Sequence, residues 1–402
     1  MDGRRGWFVV LGAFLTMAIT AGASLFVLPA MLDSIINDTG WSLTGVSTAL
    51  TVWGVSAAVF SPICGLLIDK FGARRMMLFG IVCGSVTAWL TSQVGALWQL
   101  YAVLLVAAFG NMACTYVPVS TLVARWFIQR RSMATGIAML SIFVGAAIFL
   151  TLTAGLLESY SWRDVYKIIA GIWLLAAIPT LIWVRYPPAE EEAAHIAQLG
   201  TAASTDGDLT LSMALRTRSF WGLSIGDAIT GLVFAVFSFH LPYFLTQELD
   251  DAQTAAGIAS LLNLATAGGT LLFGILGDRF PFRPLFVSCY FFPFLAVPLL
   301  MVGGGAPLAF AFALMAGIPA GGRNALFPVS LVYCFGETHL GAIYGLSNSC
   351  FMLGNAFAPV LSAWIYESTG SAQGVYAVCM GMLILSTALV ALIQRRPAAP
   401  AH

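Results

Sequence analysis

Twelve apolar runs, most of them twenty residues or longer, follow one another along this chain with only short polar breaks between them. A helix that crosses the hydrocarbon core of a bilayer needs about 20 mostly apolar residues, because it rises 1.5 Å per residue through a layer about 30 Å thick. The runs fall near 7–32, 43–68, 76–92, 97–124, 133–157, 165–185, 220–246, 254–277, 284–303, 306–334, 340–366 and 373–393. The pattern predicts an all-α, multi-pass integral membrane protein of twelve transmembrane helices. Composition agrees, since 59% of the 402 residues are hydrophobic and 9% charged, against about 25% charged in an ordinary soluble domain. Eighteen Lys plus Arg balance eighteen Asp plus Glu. No positive surplus is left to neutralise phosphates, and nucleic acid is excluded as a partner.

The seven Cys all lie in apolar stretches, without CxxC or Cys/His spacing. They read as small core residues rather than disulfides or metal ligands, and no cofactor is expected. The run from Trp7 follows Arg4 and Arg5 as a signal peptide would, but no AxA-like site ends it, so it is expected to stay as the first span. Orientation follows from the cations. With both termini inside, fifteen of the eighteen Lys and Arg fall on the cytoplasmic side, Arg163 and Lys167 fall outside, and Arg323 lies within a span. A multi-pass protein of the cell (inner) membrane with cytoplasmic termini is therefore expected.

The one long polar stretch, 187–217, separates six spans from six. Its acidic start and small polar middle cannot bury enough apolar area to fold alone, although a short surface helix over 189–199 fits. The expected organisation is an N-terminal six-helix domain, 1–186, a cytoplasmic linker, 187–217, a C-terminal six-helix domain, 218–394, and a cytoplasmic tail, 395–402. The halves carry related sequence at the same place: GLLIDKFGARR from Gly65 after the second span, and GILGDRFPFR from Gly274 after the eighth. Gly65 to Gly274 and Asp69 to Asp278 are both offsets of 209 residues, which indicates a parallel duplication.

Gly65 and Gly274 allow close helix approach, and Asp69 and Asp278 can accept hydrogen bonds from orphan amides at a helix N-terminus. Arg74, Arg75 and Arg283 can bind lipid phosphate or pair with acidic groups across the halves, and Arg279 stands beside them in the second loop. These residues together form a candidate cytoplasmic latch; the alternative is that the cations only enforce topology.

The two loops resemble the loop 2/3 signature of the major facilitator superfamily and its degenerate loop 8/9 copy. Within that superfamily, DG followed by GW at Asp2 to Trp7, YVPVSTLVARWFIQRRSMATGIA from Tyr116, and GAIYGLSNS with APVLSAWIYESTGS resemble the monocarboxylate transporter and oxalate/formate antiporter group. The resemblance implies a secondary transporter that alternates access to a central cavity and moves a small organic anion, often with a proton. One departure matters. Members of that group typically carry a cation in helix 1, helix 8 or helix 11, and this sequence has none at those places.

Ionisable residues at membrane depth are costly and by default face a partner or a cavity. Arg323, in MAGIPAGGRNALFPV, is the one cation in a span interior, and Asp227, in SFWGLSIGDAITG, is a carboxylate at similar depth. Helices 7 and 10 line the cavity in the superfamily, so the resemblance implies that the two meet. A guanidinium binds a carboxylate through two parallel hydrogen bonds. Arg323 is thus the expected anion anchor, with Asp227 as its counter-ion and proton acceptor. Two alternatives stay open: a fixed Asp227–Arg323 bridge, or an Arg323 held by carbonyls of a helix broken near Pro319, Gly321 and Gly322. His240, in the outer half of helix 7, is a candidate ligand contact that could also gate or relay a proton; the alternative is a plain hydrogen-bonding group. Asn111, Thr115 and Tyr116 on helix 4, Asn263 on helix 8 and Asn324 on helix 10 are candidate ligand contacts; the alternative is helix-to-helix contacts worth about 0.6 kcal/mol each.

An intramembrane enzyme is the rival from another class. GLSIG from Gly222 matches GxSxG, but a nucleophile elbow needs a strand, turn and helix there, and close helix packing explains the glycines better. Among transporters the runner-up is a multidrug or amphiphile exporter in which Asp227 attracts cations.

Overall fold

The computed structural model describes residues 4–187 and 209–393; the surface helix expected at 189–199 lies outside the described residues. Eleven helical stretches among the described residues are long and apolar enough to cross a membrane. A twelfth, Ala73–Thr91, has nineteen residues, about 28 Å at 1.5 Å per residue. In chain order they are α1 (Arg4–Leu25), α2 (Leu43–Phe71), α3 (Ala73–Thr91), α4 (Leu97–Met112 and Tyr116–Trp126), α5 (Arg131–Leu157), α6 (Trp162–Leu175 and Ala177–Trp183), α7 (Arg218–Leu249), α8 (Ala252–Gly277), α9 (Phe282–Met301), α10 (Gly305–Phe335), α11 (Leu340–Thr369) and α12 (Ala372–Ala391). Short polar side chains start several of them. Ser42, Ser161, Thr217, Asp251 and Ser371 each accept an amide two or three residues on, satisfying a donor that the helix itself leaves free.

The helices pack as two groups of six with the same internal pairings. In the first group α1 lies on α5 and α6, α2 on α4, and α3 on α4 and α6; in the second α7 lies on α11 and α12, α8 on α10, and α9 on α10 and α12. The groups meet where α2 runs along α11 and α5 along α8 and α10. Close approach is built from glycine. A Cβ on Gly65 would lie 2.1 Å from the Gly341 carbonyl oxygen, and one on Gly345 2.6 Å from that of Ser61.

Two features differ from expectation. The helix break expected near Pro319 is absent, and α10 runs unbroken through Pro319 and Pro328. Its glycines serve packing instead: a Cβ on Gly321 would sit 2.0 Å from the Thr266 carbonyl oxygen of α8, and one on Gly322 2.5 Å from the Phe273 ring. The break falls in α4, between Met112 and Tyr116. Pro118 has no amide to bond the Cys114 carbonyl four residues back, and Thr115 leaves the helical region at φ −105°, ψ −117°. The first span also ends earlier than its apolar run, at Leu25, and the chain turns through short helices at Val27–Ala30 and Leu32–Thr39.

The halves are closed at one face and separated at the other. Where α6 ends and α7 begins, here the linker face, Asp69 accepts hydrogen bonds from the amides of Gly341 (3.0 Å) and Ala342 (2.8 Å), and Asp278 from those of Ser132 (2.8 Å) and Met133 (3.0 Å). Arg131 pairs with Glu337 beside them. Inward from there, Asn348 donates to Ser61 Oγ at 3.0 Å and Ser349 to the Ala58 carbonyl at 2.5 Å. Beyond that level the interface opens. Leu353, Val360 and Trp364 continue the helical stripe of Ser349 along α11, yet are 40, 70 and 65% exposed, while Ser349 is buried.

Candidate functional site

Both halves contribute to the clamp at the linker face and to the pocket behind it. In the clamp, two carboxylates meet the first amides of α11 and α5, which have no partner within their own helices and carry the positive end of the helix dipole. The flanking arginines do not cross between halves as expected. Arg74 donates to the Leu181 carbonyl of α6 at 2.8 Å and Arg283 to the Ala391 carbonyl of α12 at 2.6 Å, so each ties two helices of its own half together. Arg75 and Arg279 are exposed. Arg131 does cross: it reaches Glu337 and also donates to the carbonyls of Phe127 and Ala124, and so holds the end of α4. In the sequence it is one of several inside arginines, and nothing in its surroundings marks it.

Asp227 and Arg323 meet. Asp227 lies nine residues into α7 and Arg323 twelve from the end of α10, roughly 14 and 18 Å from the linker face at 1.5 Å per residue. Arg323 Nε donates to Asp227 Oδ1 at 2.6 Å and Nη2 to Oδ2 at 2.5 Å, a two-pronged pair. Tyr290 on α9 donates its hydroxyl to Oδ1 at 3.1 Å, and Arg323 Nη1 donates to Asn324 Oδ1 at 2.8 Å. The Asp227 side chain is 0% exposed and that of Arg323 12%. The carboxylate is therefore sealed behind the guanidinium, and the guanidinium fronts a small pocket.

That pocket is lined by Arg323, Asn324, Phe327, Tyr344, Asn348 and Phe351 from the second half and by Tyr116 from the first. Its free volume of about 10 Å³ is room for roughly one water. The Phe351 ring lies 3.9 Å below the guanidinium carbon, and Phe327 5.5 Å away. Of the candidate ligand contacts, Tyr116 and Asn324 are brought to the pocket and four are not. Asn111 is buried, donating at 3.5 Å to the Thr20 carbonyl, with its Oδ1 unpartnered. Thr115 caps back onto the Asn111 carbonyl at 3.0 Å. Asn263 is exposed on α8 and donates to Ala259 one turn back. His240 lies far along α7, 3.0 Å from Ser362 Oγ and stacked on Phe244. Phe351, Tyr344, Asn348 and Tyr290 were not singled out by their sequence context.

GLSIG lies inside α7, where a Cβ on Gly222 would be 2.8 Å from the Leu389 carbonyl oxygen and one on Gly226 2.8 Å from Val390 of α12. It is a packing motif. Two six-helix groups clamped at one face, with an ion pair of the second group fronting a pocket that both line, have the architecture of a membrane transporter. The chain belongs to the Major Facilitator Superfamily, whose model matches residues 11–306 and 223–402. It is thus a secondary transporter and not an enzyme. Over 97% of its length it is 25% identical to Monocarboxylate transporter 12 of Rattus norvegicus, covering 85% of that protein. The Oxalate:formate antiporter of Oxalobacter formigenes is 26% identical over 90% of this chain and 86% of its own. Among solved structures the fucose:proton symporter of E. coli superposes at a TM-score of 0.73 over 95% of this chain and 98% of that one; at 12% identity this likeness concerns the fold.

Proposed function

We propose that the chain carries a small organic anion, a monocarboxylate, across the cell membrane by alternating access, in symport with a proton. The observation that carries this reading is the buried Asp227–Arg323 pair fronting the pocket between the halves. A buried guanidinium stays charged, so the pocket holds a fixed cation edge toward which a carboxylate is drawn. Adding that anion to an already neutral pair leaves one negative charge, and one proton, taken by Asp227, restores neutrality. That is the physical basis for coupling. The distant likeness to monocarboxylate and oxalate:formate carriers supports the anion class.

In this reading 1–186 and 218–394 are the rocking units, 187–217 links them on the cytoplasmic side, and the linker face with both termini is cytoplasmic. The conformation described is then outward-facing. Export of amphiphilic cations is the weaker reading, because both Asp227 oxygens are taken by Arg323 and the carboxylate is fully buried. A thermal-shift screen of purified protein against mono- and dicarboxylates tests the proposal, since a ligand at 100 times its Kd adds about 2.7 kcal/mol. Stabilisation by carboxylates, followed by uptake into proteoliposomes that grows with an inward proton gradient, is expected. Stabilisation by lipophilic cations alone would overturn it.

A further inference from the structure

Four aromatic rings and one cation define the pocket: Tyr116, Phe327, Tyr344 and Phe351 around Arg323, with Asn324 and Asn348 as its other lining. A guanidinium has five N–H groups. Three are spoken for, Nε and one on Nη2 by Asp227 and one on Nη1 by Asn324. One N–H remains on each terminal nitrogen, enough for a single carboxylate to bind without displacing Asp227.

Resting on the anion-transport reading, we propose that this site selects monoanions with a planar apolar tail, arene carboxylates such as benzoate or phenylacetate, over short aliphatic carboxylates and over dianions. The charge argument excludes the dianion. Asp227 and Arg323 cancel, no second cation lines the pocket among the described residues, and a dianion would leave two uncompensated charges in a low-dielectric site where a monoanion leaves one. The tail argument rests on the walls. Aromatic rings prefer other rings in offset or edge-on contact, whereas a methyl or hydroxymethyl tail would leave most of that surface unmatched. As described the pocket has room for about one water, so a tail enters only as the halves part, and Phe351 is a wall anchored within its own half. Phe351 is seated in a notch on α7 that exists because residue 231 is glycine, where a Cβ would lie 2.5 Å from the Phe351 ring. In the closed pocket that ring covers the guanidinium face.

The test uses the full-length protein in detergent and in proteoliposomes, titrated by thermal stabilisation and by competition for uptake. The probes are benzoate, phenylacetate, acetate, lactate, oxalate and, as an uncharged control, benzyl alcohol. Benzoate and phenylacetate should bind about tenfold or more tightly than acetate, given two ring contacts of ordinary strength, with oxalate weakest and benzyl alcohol silent. Phe351→Leu and, separately, Phe327→Leu should bring the benzoate-to-acetate affinity ratio to within about threefold. Equal or tighter binding of acetate, lactate or oxalate overturns the selectivity while leaving anion transport standing, as does an unchanged ratio in both variants. If no carboxylate binds, the underlying reading fails and this one with it.

Discussion

Asp69 and Asp278 stand 209 residues apart, and so do the amides they hold. Asp69 receives Gly341 and Ala342, and Asp278 receives Ser132 and Met133, the same positions moved by that offset and crossed between halves. The clamp is therefore made twice by one geometry, each carboxylate facing the N-terminal end of a helix from the other half. Hydrogen bonds to a charged acceptor are worth about 1.5–3 kcal/mol each, and about 1.4 kcal/mol is tenfold in a population. Asp69→Asn and Asp278→Asn should each shift the protein at least about tenfold toward opening at the linker face. The expected signature is faster labelling of a cysteine placed on that face and a larger loss in turnover than in substrate affinity. Labelling and turnover both equal to wild type would refute the clamp.

The glycines of the clamp are not equally tight. A Cβ on Gly65 meets the Gly341 carbonyl oxygen at 2.1 Å, whereas one on Gly274 meets the Ser132 carbonyl oxygen at 3.0 Å. Gly65→Ala should therefore prevent closure of the linker face and abolish most transport, while Gly274→Ala should leave a large part of it. The pair is best compared by initial uptake rate at matched expression. Equal rates in the two variants would show that α2 and α11 yield without cost.

The apolar runs and the 209-residue offset make the helix number and the two-fold plan legible in the sequence, because both depend only on bilayer thickness and on repetition. The break in α4 is not. Pro118 within YVPVS and Pro319 within GIPAGG look alike as sequence, yet α4 breaks and α10 does not. What distinguishes them is the packing of Gly317, Gly321 and Gly322 against α8, which holds α10 straight and is invisible in one strand of sequence. Phe351, Asn348 and Tyr344 were missed for a related reason. In α11 the polar residues Ser347, Asn348 and Ser349 follow one another around the helix and so mark no single side as the interior one, whereas Arg323 and Asp227 are lone charges in their spans.

Away from the membrane core, Asp38 gives a pH-dependent prediction. Trp162 Nε1 donates to its Oδ2 at 2.9 Å and Arg163 pairs with the same oxygen. These hydrogen bonds, Trp162 first and Arg163 second, hold its carboxyl below the ordinary value of 3.8. A carboxyl depressed in the folded state stabilises above its unfolded value, and that stabilisation is lost as pH falls through the folded one. The melting temperature of wild type should therefore exceed that of Asp38→Asn by a constant margin above about pH 5, and the margin should shrink below about pH 4. A margin that does not change between those values would exclude the contact as a source of stability.

The pair of Asp227 and Arg323 yields the most exacting prediction, because its two members should fail differently. Arg323→Lys keeps a charge but loses the planar fork that serves Asp227 on one side and a carboxylate on the other. It should weaken carboxylate binding by about 1.5–3 kcal/mol, roughly 10- to 150-fold, the cost of one charged hydrogen bond. Arg323→Gln removes the charge and should abolish binding. Asp227→Asn keeps the shape of the carboxyl and the Tyr290 contact, yet presents a permanently neutral group, as the protonated carrier would. Exchange of labelled carboxylate across proteoliposomes should then continue, while uptake driven by a pH gradient is lost. The two variants separate anchor from coupler: a carrier whose Asp227→Asn form still concentrates substrate against a gradient cannot be taking its proton there, and one whose Arg323→Gln form still binds carboxylate cannot be anchoring it with the guanidinium.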